Sequence, residues 1–160
     1  MIDLNKPGIY SLEFVYSGRP RSVAIGKQGE LRLQAGTYLY SGSAFGPGGL
    51  GGRLKHHLHR ASPLRWHVDY LKQHCKLVRI SVAHHDRESE HAWVRHQIGL
   101  PGAGIPLPGF GSSDCPQCPA HLVFINRPLS ERELAYSSDV RCFAATAVTK
   151  ALARERPSFL

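Results

Sequence analysis

Acidic residues are the scarcer charge in this chain. Twelve Asp and Glu stand against 20 Lys and Arg in 160 residues, a net charge of +8, with 10 histidines besides. The histidines add positive charge below about pH 6.5. A surface so poor in acid points to a polyanionic partner, nucleic acid or an acidic membrane surface. No apolar run of about 18 residues occurs, so no segment reads as a membrane-spanning helix. Met1 to Pro7 lacks the apolar stretch of a signal peptide. Cysteine is sparse and scattered, at Cys75, Cys115, Cys118 and Cys142, which argues against a secreted disulfide framework. The expectation is a reduced, cytoplasmic, monomeric protein with no membrane partner. Its length suits one domain with a sizeable core.

Apolar alternation and turn residues then place the elements. Residues 8–16 read as a strand with Tyr10, Leu12, Phe14 and Tyr16 on one face. Val23 to Ile25 and Leu31 to Leu33 are shorter strands, and another runs through 37–41, so the first 42 residues predict a compact antiparallel meander. Gly42 to Gly52 holds six glycines and a proline, too many for a regular element. Helices are expected over about 50–60, from Ser62-Pro63 onward, over Arg87 to Ile98 and over Val140 to Arg154. Residues 77–83 and His121 to Asn126 read as strands, and Ser130-x-x-Glu133 as a capping box. No internal repeat or low-complexity segment is present.

The densest chemistry lies between Gly36 and Leu58. Tyr38 and Tyr40 are two apart, so a strand points both the same way. Arg53 and His57 are four apart, so a helix stacks them on one face. Phenol, guanidinium and imidazole beside backbone amides suit the binding and attack of a phosphate.

Other signals have simpler readings. Gly46-x-Gly48-x-x-Gly51 followed by Asp69 imitates a dinucleotide-binding fingerprint, but Pro47 sits inside the turn and Asp69 falls mid-helix. No Lys-Ser or Lys-Thr follows the glycines, so a phosphate-binding loop of that kind is also out. His56, His57 and His59 read mainly as a solvated basic face, because adjacent helical residues point about 100° apart. Cys115-x-x-Cys118-x-x-His121 has zinc-ligand spacing but needs a fourth donor, which His74 or Cys75 supplies only if the fold brings one near. A thiol pair packing a loop is the simpler expectation. Glu88 and Glu90 open the third helix, where acids ordinarily complement the dipole, yet a hard cation needs such a carboxylate. Glu13 points to the strand face opposite Tyr10.

Gly8-Ile9-Tyr10, Tyr40-Ser41-Gly42 and Arg53 on the next helix resemble the GIY-YIG nuclease superfamily. The Gly-Ser-Ala-Phe-Gly-Pro-Gly-Gly loop at 42–49, Trp-His-x-Asp-Tyr-Leu at 66–71 and Gly-Phe-Gly-Ser-Ser-Asp-Cys at 109–115 are similar to one small subgroup of it. The second signature is Tyr-Ser-Gly where the superfamily has Tyr-Ile-Gly, and Ser89 stands where the subgroup usually has cysteine. The resemblance implies an α+β fold with a small three-stranded antiparallel sheet flanked by helices. The resemblance runs from about residue 7 to 126 and does not cover the tail. The expectation is a nuclease-like domain over 1–126 with an added C-terminal strand and helix, 127–160 being a helical extension packed on the same domain. The resemblance implies a metal-dependent endonuclease acting on DNA, with RNA left open. Tyr10 and Tyr40 would be the active-site tyrosines, Arg53 the phosphate clamp and His57 its neighbour one turn on. Glu88, or alternatively Glu90, would hold one Mg²⁺ or Mn²⁺. Gly42, Ser43, Lys55, His56, Arg60 and His67 would meet the nucleic acid. The other class of function is a non-cleaving binding module, its tyrosines stacking bases and its basic helix tracking phosphates.

Overall fold

The computed structural model describes residues 1–59, 63–112, 115–154 and 159–160. Strand β1 (Gly8–Tyr16) sets the plan. Its aromatic and branched residues favour a pleated backbone, and all but Val15 are buried, so the strand needs neighbours on both edges and cover on both faces. The hairpin strands β2 (Arg21–Ile25) and β3 (Gly29–Leu33) follow, and then β4 (Gly36–Ala44). Helix α1 (Gly49–Leu58) and the short α2 (His67–Lys72) lead to β5 (Lys76–Ala83). The remaining elements are α3 (Glu88–Ile98), β6 (Ala103–Gly104), β7 (Leu122–Ile125), α4 (Glu131–Leu134), β8 (Arg141–Ala144) and α5 (Ala145–Leu152). Among the described residues, no helix is long and apolar enough to cross a membrane.

The fold is α+β, with a sheet twice the expected width. Six strands run in the order β6-β7-β4-β1-β5-β8, and neighbouring strands are antiparallel. The expected meander is wrong at its first step, because β1 pairs with β4 and β5 while β2 and β3 form a separate two-stranded sheet. Burial explains the choice. Strands β2 and β3 bury only alternate residues, Val23, Ile25, Leu31 and Leu33, so they pack as a flap with one face on the core. A strand inside the sheet would have to bury both faces.

The face of β1 bearing Tyr10, Leu12 and Phe14 joins Tyr40, Ile80, Val82 and Leu122 in the main core, under α1, α2, α5 and the hairpin. Helix α3 lies on the other face. Its Gln97 amide donates to Ser11 Oγ at 2.8 Å and accepts from Ser41 Oγ at 3.0 Å. Glu13 occupies that opposite face, ion-paired with Arg79, which also donates to the Leu129 carbonyl at 2.6 Å.

Several boundaries differ from expectation for local reasons. Helix α2 begins at His67, because the Asp69 carboxylate accepts the N–H groups of Arg65 and Trp66 at 2.9 and 3.0 Å. The proposed cap Ser62 lies outside the described residues. The expected helix from Val140 starts five residues later, since Arg141–Ala144 pair with β5 as an edge strand. The capping box is present, with Ser130 Oγ accepting from the Glu133 N–H and the Glu133 carboxylate from the Ser130 N–H. The glycine segment is divided between two elements. Gly42 continues β4, and Gly49 opens α1 at φ +58°, where a Cβ would stand 2.6 Å from the Asn5 and Lys6 carbonyls. The Leu50 and Gly51 N–H groups donate to the Lys6 and Leu4 carbonyls. Those amides therefore hold the chain's own first residues rather than a phosphate.

Candidate functional site

A cleft with a cavity volume of about 350 Å³ opens where β1, β4, α1 and α3 converge. Its β wall carries Tyr10 and Tyr40, which point the same way because Tyr10 lies opposite Gly42 and Leu12 opposite Tyr40. Gly42 is the glycine this wall requires, because a Cβ there would collide with the Tyr10 hydroxyl. Gly111, at φ +71°, likewise leaves room for the Tyr40 ring, 2.7 Å from where its Cβ would be.

Helix α1 brings Arg53 to the cleft and stacks His57 one turn on, behind Tyr10, where it lines a neighbouring hollow. His57 is buried, and its Nε2 lies 2.7 Å from the Tyr10 hydroxyl, while its buried Nδ1 has no partner among the described residues. Burial and the cations Lys72, His56 and Arg53 push the His57 pKa down to about 3, so the ring is neutral at ordinary pH. Burial and the neighbouring Tyr40 hold the Tyr10 phenol well above its ordinary value, and Arg53 pulls the other way without reversing it. Burial and the Glu90 charge also raise Tyr40. Arg53 stacks over Trp66 with its guanidinium carbon 4.5 Å from the ring centroid, which fixes the fork without consuming its donors.

The facing wall comes from α3 and the loop before β7. Glu90 and His121 are both buried and ion-paired, Oε1 to Nδ1, at 3.0 Å. Glu88 is exposed and outside the cleft. Of the two glutamates expected as alternatives, Glu90 is the carboxylate that the fold places beside the tyrosines. The signal was available: Glu90, Trp93, Val94 and Gln97 recur at helical spacing and all four are buried. His91, Cys115, Cys118 and His121 each offer a donor atom within 4.8 Å of the others, a set that could hold a metal ion. Two sulfurs and two imidazole nitrogens suit zinc rather than Mg²⁺ or Mn²⁺. The fourth donor is His91, not His74 or Cys75, since Cys75 lines a different hollow beside Phe14 and Lys72.

The residues expected to meet nucleic acid are scattered by the fold. Gly42, Ser43 and His67 line the cleft, and His67 Nδ1 accepts from the Gly111 N–H at 2.8 Å. His56 is bonded to Asp69 at 3.2 Å beside the adjoining glycine hollow, and Lys55 is exposed on the side facing α5. Arg60 lies outside the described residues. Asp69 is buried within α2 with its carboxylate on the Arg65 and Trp66 N–H groups and on His56, which removes any ribose-binding role. Sequence reasoning missed two further guanidinium groups in the cleft, Arg65 and Arg87. With Arg53 they make three forks of the kind that recognises phosphate.

A single Glu90 carboxylate, with one oxygen on His121, is compatible with a hard cation that keeps several waters. The model of a family described as Domain of unknown function DUF123 matches residues 9–142. No curated protein and no solved structure matches the chain.

Proposed function

The chain belongs to the DUF123 family, and we propose that it is a metal-dependent endonuclease hydrolysing phosphodiester bonds in DNA. The observation that carries this reading is the hydrogen bond between Tyr10 and a neutral His57 behind it, with Tyr10 in a cleft lined by Arg53 on one side and Glu90 on the other. The sequence resemblance to GIY-YIG nucleases supports the same assignment.

Tyr10 keeps its proton in the resting site, so it serves best as one half of a relay. Water attacks phosphorus and gives a proton to the Tyr10 oxygen as the Tyr10 proton passes to His57 Nε2. The P–O bond to the leaving sugar oxygen breaks, that oxygen takes a proton from solvent, and His57 returns its proton to solvent, giving a phosphomonoester and an alcohol. Arg53 pairs with the phosphate and offsets the charge that builds in the transition state. Arg65 and Arg87 add donors for the charge that builds on the non-bridging oxygens. One Mg²⁺ or Mn²⁺ on Glu90, when bound, supplies Lewis-acid stabilisation of the same oxygens and the leaving group.

The non-cleaving module is favoured by one observation: both cleft phenols are held protonated, which suits stacking more directly than catalysis. Nicking of supercoiled, single-stranded and branched DNA, with Mg²⁺ or Mn²⁺ and with excess EDTA, separates the two. Cleavage that requires the cation and disappears in Tyr10→Phe supports the nuclease. Binding of all three substrates without a cut, under every cation, sinks it.

A further inference from the structure

We propose that His91, Cys115, Cys118 and His121 hold a structural Zn²⁺, and that Glu90 on the cleft side orients one of its ligands. The donor set is the first support. His91 Nδ1 lies 3.0 Å from Cys118 Sγ and 3.3 Å from Cys115 Sγ, and all four donors fall within 4.8 Å of one another. Tetrahedral zinc, with bonds of about 2.0 to 2.3 Å, places its ligands roughly 3.3 to 3.8 Å apart, so small side-chain shifts accommodate the ion. Four protein donors leave no open position, which makes the site structural rather than catalytic.

The second support is independent of the cluster's shape. His121 Nε2 is buried and has no partner among the described residues, although the residue is only 5% exposed. Glu90 is a carboxylate and accepts from Nδ1–H, so in the neutral ring Nε2 carries a lone pair and no proton. A buried lone pair without a partner is costly, and with Nδ1 held by Glu90 it is the His121 nitrogen left to ligate an ion. Carboxylate, imidazole and metal in line is the usual means of fixing the tautomer of a ligating histidine.

The position in the chain explains what the ion would do. Between β6 and β7 lie 17 residues (105–121) without a described helix or strand, a length at which a loop needs an anchor. Three ligands sit at the end of this loop and the fourth on α3. The same loop presents Phe110, with its ring centroid 6.1 Å from that of Tyr40, and Gly111, which holds His67. Zinc would thus pin this loop to α3 within one wall of the cleft and fix the Glu90 carboxylate. That last consequence rests on the nuclease reading, whereas the zinc site does not.

The test is the metal content and spectrum of the full chain, purified under reducing conditions without chelator. One tightly held zinc per chain is expected. Co²⁺ in its place should give the intense visible bands of a tetrahedral site and a thiolate-to-cobalt band. Cys118→Ser should lose the metal and lower the melting temperature, and Glu90→Gln should weaken zinc binding by about tenfold to a hundredfold. Glu88→Gln should change neither. If Cys118→Ser fails to fold, the cobalt spectrum of the unaltered chain decides. Zinc-free protein, an octahedral cobalt spectrum or a Cys115–Cys118 disulfide formed in preference to metal binding would each overturn the proposal. A chain that binds zinc but never cuts DNA would leave it standing and remove the nuclease reading alone.

Discussion

His57 packs behind Tyr10 and His121 lines the far wall of the cleft, and their surroundings drive their chemistry apart. Both are buried, at 3% and 5% exposure, and each has one ring nitrogen bonded and the other without a partner among the described residues. Around His57, burial and the positive charges of Lys72, His56 and Arg53 act together, and the ring stays neutral. Burial acts in the same direction on His121, but Glu90 and the Cys115 thiol outweigh it and raise the ring above its usual value. The thiols are also unequal: burial opposes it, but bonds to Cys118 and His121 lower Cys115, while burial and Cys115 push Cys118 up to about 12. Equal burial therefore does not give equal chemistry. Neighbouring charge keeps one imidazole neutral beside a phenol and raises the other beside a carboxylate and a thiol.

The largest expected effect breaks the acidic wall. Glu90→Gln should lower cleavage about a thousandfold or more, since a hard cation at the reacting phosphate contributes several kcal/mol. Glu88→Gln, on the exposed side of the same helix, should stay within about twofold of the unaltered rate, as expected for a group outside the site. Single-turnover nicking measures both. A strong effect at Glu88 with none at Glu90 would reverse the assignment of the two carboxylates.

A smaller loss is expected on the basic wall. Tyr10→Phe removes only the hydroxyl that meets His57, so turnover should fall on the order of a hundredfold with DNA affinity nearly unchanged. Tyr38→Phe is the internal control. Its hydroxyl accepts from the Gln34 N–H at 2.9 Å and donates to the Gln34 carbonyl, away from the cleft, so it should cost about 1 kcal/mol of stability and no rate. Equal effects of the two substitutions on cleavage would remove the special role of Tyr10.

The smallest effect reports on the histidine contrast through stability. His57 has a folded pKa near 3, below its unfolded value of about 6.5, so the unfolded chain takes up a proton first as pH falls. The stability of the neutral ring is intact above about pH 6.5 and is lost progressively as pH drops toward 3. Between pH 7 and 5 this amounts to about 2 kcal/mol at most. His57→Gln should flatten that part of the profile in urea melts at the two pH values. An unchanged slope would mean that His57 is already charged in the folded protein.

What the sequence determined is what short-range periodicity can fix. Alternation put Tyr38 and Tyr40 on one strand face, a four-residue step put Arg53 above His57, and Ser130 with Glu133 marked a helix start. These relations depend on backbone geometry within one element, which nearby residues specify. Even the choice between Glu88 and Glu90 was half legible, because Trp93 and Val94 mark the inward face of α3. The tertiary structure alone decided that β1 pairs across to Gly36–Ala44 instead of to its nearest neighbour in sequence, with the hairpin set aside as a flap. It alone brought His91 to Cys115, Cys118 and His121, and Arg65 and Arg87 to the tyrosines. Strand pairing and ligand sets join residues tens of positions apart, and their partners are chosen by which faces must be buried together, a global balance that no local pattern encodes.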